Sequence, residues 1–97
     1  MNKVKKYIPK LGNAPSRGSW DIVTFPKIGD VIAFKIEVDG LCSVVGQVKS
    51  LEESISGLTK YLAIKVLRGA MKGKNIFVQY YYCGGNDSTA EEFYRQV

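Results

Sequence analysis

From residue 31 to residue 38 apolar and polar side chains alternate, with Ile32, Phe34, Ile36 and Val38 on one side and Lys35 and Glu37 on the other. A period of two is that of a strand with one buried face. Asp39-Gly40 follows, a pair that accepts the positive φ angles of a tight hairpin. Residues 41–49 then read as the returning strand, with Cys42, Val44 and Val48 sharing a face. Gly46 interrupts this strand and predicts a bulge or sharp bend. Residues 61–67 repeat the alternation through Leu62, Ile64 and Val66, and residues 75–83 form a fourth strand that is apolar or aromatic at both parities.

The segments between these runs are less regular. Ser50 with Glu53 fits a capping box, and Leu51, Ile55 and Leu58 fall at helical spacing, so residues 50–60 are expected to be a long loop carrying a short helical turn closed by Gly57. Residues 68–74 are a basic, glycine-containing connection. Gly84-Gly85-Asn86 ends the fourth strand, and Ser88 with Glu91 opens a second capping box. A short C-terminal helix through about Gln96 is expected, with Ala90, Phe93 and Val97 on its apolar side. Upstream, Trp20, Ile22, Val23 and Phe25 form an apolar patch suited to packing across a core edge. Pro26, which cannot donate to a ladder, ends it, and Lys27-Ile28-Gly29-Asp30 supplies a turn.

These patterns lie in a chain of 97 residues, 45% of them hydrophobic and 11% aromatic. That size gives one domain without room for a second core, able to fold without disulfides or metal. The expected class is all-β, or β-rich α+β. Several curved strands in so short a chain suggest a small barrel, because closing a sheet removes its exposed edges. The domain is expected over residues 20–97, behind a flexible basic arm over residues 1–19. No apolar run reaches the length of a membrane span, and no apolar segment follows the basic N-terminus as in a secretory signal. These features point to a cytoplasmic protein, or a nucleoid or nuclear one. Cys42 and Cys83 sit in apolar segments and read as reduced, packed thiols.

Lys27-Ile28-Gly29-Asp30-Val31-Ile32-Ala33-Phe34 resembles the opening strand of SH3-like barrels of the Tudor, PWWP and KOW kinds, where a Gly-Asp turn leads into an alternating strand. Gly46-Gln47-Val48 resembles their second strand and residues 61–67 their third, so the resemblance covers about residues 26–82. It implies a binding function: methylated side chains in an aromatic cage for Tudor-type barrels, and RNA, ribosomes or RNA polymerase for KOW-type barrels. No complete cage can be assigned from spacing in this sequence.

Charge adds a direction to the fold. Lys3, Lys5, Lys6, Lys10 and Arg17 stand in the first 19 residues without an acid, and these five charges equal the whole net charge of +5. Residues 54–86 also lack acids but contain Lys60, Lys65, Arg68, Lys72 and Lys74. The folded body is thus expected to show a basic side to a polyanion, against the competing reading of an ordinary solvated surface.

Candidate chemistry is thin. The chain has no histidine, which removes Ser–His and Cys–His nucleophile pairs and the commonest general base. Gly69-x-x-x-Gly73-Lys74 lacks the hydroxyl residue of a phosphate loop and reads as a turn. Glu52–Glu53 and Glu91–Glu92 are adjacent pairs at expected solvated positions. No enzyme activity, cofactor or metal is expected. Tyr80-Tyr81-Tyr82 is the most suggestive run, because alternate tyrosines take opposite faces of a strand. One face belongs to the core. For this run the leading expectation is that all three plug the barrel ends with their hydroxyls at the rim. The competing one is that the second face is an exposed platform of Tyr81 shared with Phe77 or Tyr61, which stacks on bases or forms a cation cage or peptide groove.

The leading expectation is therefore a non-catalytic module that binds DNA or RNA. Lys3, Lys5, Lys6, Lys10, Arg17, Lys60, Lys65, Arg68, Lys72 and Lys74 would face phosphates, with Tyr61, Phe77 and Tyr81 as stacking groups. The alternative is a protein-interaction module: a Tudor-like peptide binder, or a regulator or inhibitor of a larger nucleic-acid enzyme, as in a phage or microbial accessory protein. A homo-oligomer built on the two-sided fourth strand is a third, lesser expectation.

Overall fold

Among the described residues, seven strands form one sheet in the computed structural model of the chain. The structure describes all residues except 1–5, 11–14, 16–17, 24, 54, 56, 58 and 83–92, and it describes only the backbone of Lys6, Thr59, Tyr80, Tyr81 and Tyr82. The strands are β1 (Lys6–Tyr7), β2 (Trp20–Val23), β3 (Val31–Glu37), β4 (Leu41–Glu53), β5 (Thr59–Gly69), β6 (Asn75–Tyr82) and β7 (Phe93–Gln96). Their order in the sheet is β1-β6-β5-β4-β3-β7-β2. Every pairing is antiparallel except that of β1 with β6. Among the described residues there is no helix, so none long and apolar enough to cross a membrane.

The hairpin read from the alternation is present. Ile32, Phe34 and Ile36 of β3 are buried, and Val31 through Glu37 pair in register with Gln47 through Leu41 of β4. Asp39 and Gly40 in the connecting loop have φ angles of 52° and 110°, the left-handed backbone that hairpin loops demand. The preceding turn is fixed by the Asp30 carboxylate, which accepts the Lys27 N–H at 2.9 Å, and is tied to β4 through the Gly29 N–H on the Val48 carbonyl at 2.8 Å.

The core lies on one side of the sheet. It joins Ile32, Phe34 and Ile36 to Val44 and Val48 of β4, Leu62, Ile64 and Val66 of β5, Ile76 and Val78 of β6, and Phe93 of β7. These belong to strands as far apart in the sheet as β6 and β7, so the sheet wraps round its own apolar face. Burial of such side chains is the main favourable term in folding, about 1.5–3 kcal/mol for each. The result is a small all-β body compatible with a barrel-like fold.

Two expectations are corrected by this architecture. Residues 50–53 and 59–60 are strand instead of loop or helical turn: β4 runs on to Glu53 and β5 starts at Thr59, with Ser50 to Glu53 paired against Ala63 to Lys60, while Ser54, Ser56 and Leu58 lie outside the described residues. The Ser50 hydroxyl donates to the Glu52 carboxylate at 2.9 Å instead of capping a helix. Residues 93–96 are strand, not helix. As a strand, β7 pairs with both β2 and β3 and buries Phe93 and Tyr94 on its two faces, which a single helical turn could not do. The rest of the expected helix lies outside the described residues.

Part of the segment expected to be a flexible arm is described, and it touches the sheet. Lys6 and Tyr7 pair with Phe77 and Val78 of β6. Tyr7 packs against the core, and its hydroxyl donates to the Met71 sulfur at 3.4 Å. Four residues on from Lys6, the Lys10 N–H donates to the Lys35 carbonyl of β3 at 2.7 Å. Ladder contacts thus hold residues 6–10 to β6 at one end and β3 at the other. The apolar patch at residues 20–25 behaves partly as expected. Val23 packs on the core and Trp20 is half-buried, but Ile22 and Phe25 remain exposed.

Candidate functional site

Strand parity and two irregularities decide which side chains meet on the outward face of β4, β5 and β6. Leu62, Ile64 and Val66 of β5 point into the core, so Tyr61, Ala63 and Lys65 face outward. Strict alternation would turn Arg68 inward with Val66. The pairing instead slips, so that Gly46 is opposite Val66 while Val45 is opposite Arg68, leaving Leu67 as the extra residue. This bulge returns Arg68 to the outward side.

Gly46 makes the close approach at the bulge feasible. A Cβ there would run into the Ile64 side chain and come within 2.8 Å of the Lys65 carbonyl oxygen. A second slip falls between Val48 and Ser50 of β4, so that Ser50 lies opposite Ala63. Lys49 is the extra residue, and its ammonium donates to the Gln47 side-chain oxygen at 2.9 Å. The Gln47 amide in turn donates to the Gly29 carbonyl at 3.2 Å, and Gln47 is the ladder partner of Lys65.

Across from β5, β6 sets Gln79 opposite Tyr61, Phe77 opposite Ala63 and Asn75 opposite Lys65. Among the described side chains the face therefore carries two aromatic rings, Tyr61 and Phe77, and three cations, Lys49, Lys65 and Arg68, with amide groups between. Tyr61, Lys65 and Phe77 are half-buried and Arg68 is exposed. Ala63, the small residue beside Phe77, is partly buried like the ring. Among the described residues none of Lys49, Lys65 and Arg68 is in an ion pair. Glu52, opposite Tyr61, is the acid at the aromatic end.

The other expected site residues separate into distinct places. Lys10 lies 3.9 Å from Glu37, and Lys60 lies 3.7 Å from Glu53. Both pairs are solvated and worth little to stability, but each cation already has a counter-charge. Lys72 and Lys74 are exposed on the turn between β5 and β6. That turn is pinned: Ala70, Lys72, Gly73 and Lys74 donate their amides to the Ser43, Gly69, Val66 and Met71 carbonyls. With these N–H groups engaged, residues 69–74 are a turn and not a phosphate cradle.

Lys3, Lys5 and Arg17 lie outside the described residues. The Lys6 backbone is placed opposite Phe77 and the Tyr81 backbone opposite Lys60, while both side chains lie outside the description. Cys42 is a free, partly buried thiol on β4, and Cys83 lies outside the described residues. Among the described residues no three His, Cys, Asp or Glu side chains are grouped to hold a metal ion. Lys49 was not among the expected site residues. Its signal in the sequence was parity: next to inward Val48, it takes the opposite face of β4.

No family model, curated protein or solved structure matches the chain.

Proposed function

We propose that this protein is a non-catalytic nucleic-acid-binding module, built as a small SH3-like barrel, that presents the outward face of β4–β6 to its ligand. The observation that carries this reading is the meeting of Tyr61, Phe77, Lys65 and Arg68 on one face. Aromatic rings offer π-faces to bases, and the cations beside them, in no ion pair among the described residues, offer counter-charges to phosphates. The basic residues of the N-terminal segment add a second source of attraction, since the net charge of +5 equals the charge of residues 1–19. The anchoring of residues 6–10 to both β6 and β3 supports closure of the sheet into the barrel. A cytoplasmic or nucleoid location follows from this reading.

The test is a fluorescence-anisotropy titration of the whole chain with labelled oligonucleotides across a range of salt. Neutralising about five phosphates gives a slope of log affinity against log salt of roughly −3.5 to −4.5. Binding that is absent, or indifferent to salt, removes the reading.

A second reading, a module that binds protein and regulates a larger nucleic-acid enzyme, is favoured by a different observation. Edge strand β2 and the turn after it expose Ile22, Phe25 and Ile28, at 66%, 57% and 63% of their full surface. Salt-insensitive capture of a partner, lost on Ile22→Lys, is the result expected from it.

A further inference from the structure

The arrangement of the outward face restricts the form of nucleic acid it can take. Resting on the nucleic-acid reading and narrowing it, we infer that the ligand is single-stranded, laid across β5 with its phosphates on Lys49, Lys65 and Arg68 and with unstacked bases on Phe77 and Tyr61.

The spacing of the rings favours a single strand. Tyr61 pairs with Gln79 and Phe77 pairs with Ala63, so the two aromatics are diagonal neighbours on the same face. Diagonal positions of an antiparallel pair are about 7–8 Å apart. Bases in a duplex are spaced about 3.4 Å along each strand and are closed between their neighbours. Rings set into a sheet at twice that spacing match an extended strand whose bases have come apart. They have nothing to stack on in an intact helix.

The depth of the rings favours it too. Tyr61, Ala63 and Phe77 are only half exposed, so the aromatic region is a floor. A duplex meeting this floor would touch it with sugar and phosphate, which rings do not attract. A splayed base, by contrast, lies flat on it.

Charge divides the same face into two zones. Lys65 is one ladder step, about 7 Å along the sheet, from the row of Phe77. Lys49 and Arg68 lie near Lys65, through Gln47 and the bulge respectively. At the opposite end Glu52 stands across from Tyr61, held by the Ser50 hydroxyl. The face therefore has a cationic end and an aromatic end with a negative charge behind it. A polyanion is drawn to the first and repelled from the second, while a neutral base is not repelled. Single strands can divide their backbone and bases between two such zones, and a duplex cannot without melting.

The experiment compares single-stranded DNA, single-stranded RNA and the matching DNA duplex, each about 12 nucleotides long, within the range a single small β-barrel covers. The probes are titrated with the full chain and with Phe77→Leu and Lys65→Gln. Phe77→Leu keeps an apolar side chain, and an unchanged circular-dichroism spectrum and melting curve confirm its fold. The expected result is single-strand affinity at least about tenfold above that of the duplex, and a roughly 5- to 50-fold loss in Phe77→Leu with an unaltered salt slope. Lys65→Gln should reduce the slope by about 0.7. Equal or tighter duplex binding overturns the single-strand inference and leaves nucleic-acid binding standing. A preference for single strands that ignores Phe77→Leu overturns the placement of the bases. Failure of all three probes to bind overturns the underlying reading itself.

Discussion

Phe93 meets Phe34 edge to face, with ring centroids 5.8 Å apart and planes at 64°. The ring contact locks β7 to β3, since it lies one residue beyond the Ala33–Tyr94 ladder pair where the two strands run side by side. Phe93 is 1% exposed and Phe34 is 4% exposed. Phe93→Ala should therefore lower stability by about 3–5 kcal/mol, the usual cost of opening a phenylalanine-sized cavity. Urea unfolding followed by circular dichroism measures it. A loss below about 1 kcal/mol would mean that β7 contributes little to holding the core together.

Gly46 is a second position with a clear energetic consequence. Its missing Cβ is what lets β4 approach the Ile64 side chain and the Lys65 carbonyl. Gly46→Ala overpacks that approach and should cost about 1–3 kcal/mol. Because the same bulge returns Arg68 to the outward face, the substitution should also weaken nucleic-acid binding in protein that remains folded. Gly40→Ala is the useful contrast: a Cβ there meets nothing within 4 Å, although its φ of +110° disfavours a side chain. Gly40→Ala should reduce stability without altering affinity.

The hairpin of β3 and β4 was legible because every step of its sequence agrees: alternation, turn dipeptide and glycine bulge. The inward positions of β5 were legible for the same reason. The C-terminus was not, because Ala90, Phe93 and Val97 are spaced for a helix, and the tertiary packing of Phe93 on Phe34 overrides that local preference. Ser50 and Glu53 mislead in the same way: the capping-box spelling survives inside a ladder whose cross-strand pairs outweigh it. Lys10 read as part of a free arm because charge and proline say nothing about a single backbone bond to β3. At the candidate site, Tyr61, Lys65 and Phe77 followed from parity. The outward placement of Lys49 was open to the same parity argument, as the neighbour of inward Val48, whereas that of Arg68 was not, since it depends on a register slip that no local pattern encodes.

Two classes of cation should separate in salt titrations. Lys65 and Arg68 are outside any ion pair among the described residues, whereas Lys10 and Lys60 face Glu37 and Glu53. The double variant Lys65→Gln/Arg68→Gln should flatten the slope of log affinity against log salt by about 1.4 on a single strand, near 0.7 for each phosphate no longer neutralised. Lys10→Gln/Lys60→Gln removes the same formal charge and should change the slope by less than half as much. Equal effects would show that the protein acts through total charge and that the outward face has no special part.

Glu52 offers a test in the opposite direction, because its removal should improve binding. Its carboxylate stands across the ladder from Tyr61 and accepts the Ser50 hydroxyl. A fixed negative charge there repels any phosphate that approaches the aromatic end. Exposed charge pairs are worth about 0.2–1 kcal/mol, so Glu52→Gln should tighten binding by roughly 1.4- to 5-fold at low salt. Screening shortens the reach of such a charge to about 10 Å at 0.1 M salt and about 3 Å at 1 M, so the gain should fade as salt rises. The glutamine can still accept the Ser50 hydrogen bond, which keeps the local strand intact. Weaker binding by Glu52→Gln would place the phosphates elsewhere and reverse the polarity assigned to this face. Glu53→Gln, whose carboxylate is paired with Lys60, is the matched control: it frees a cation off the face and should leave the balance between single strand and duplex unchanged.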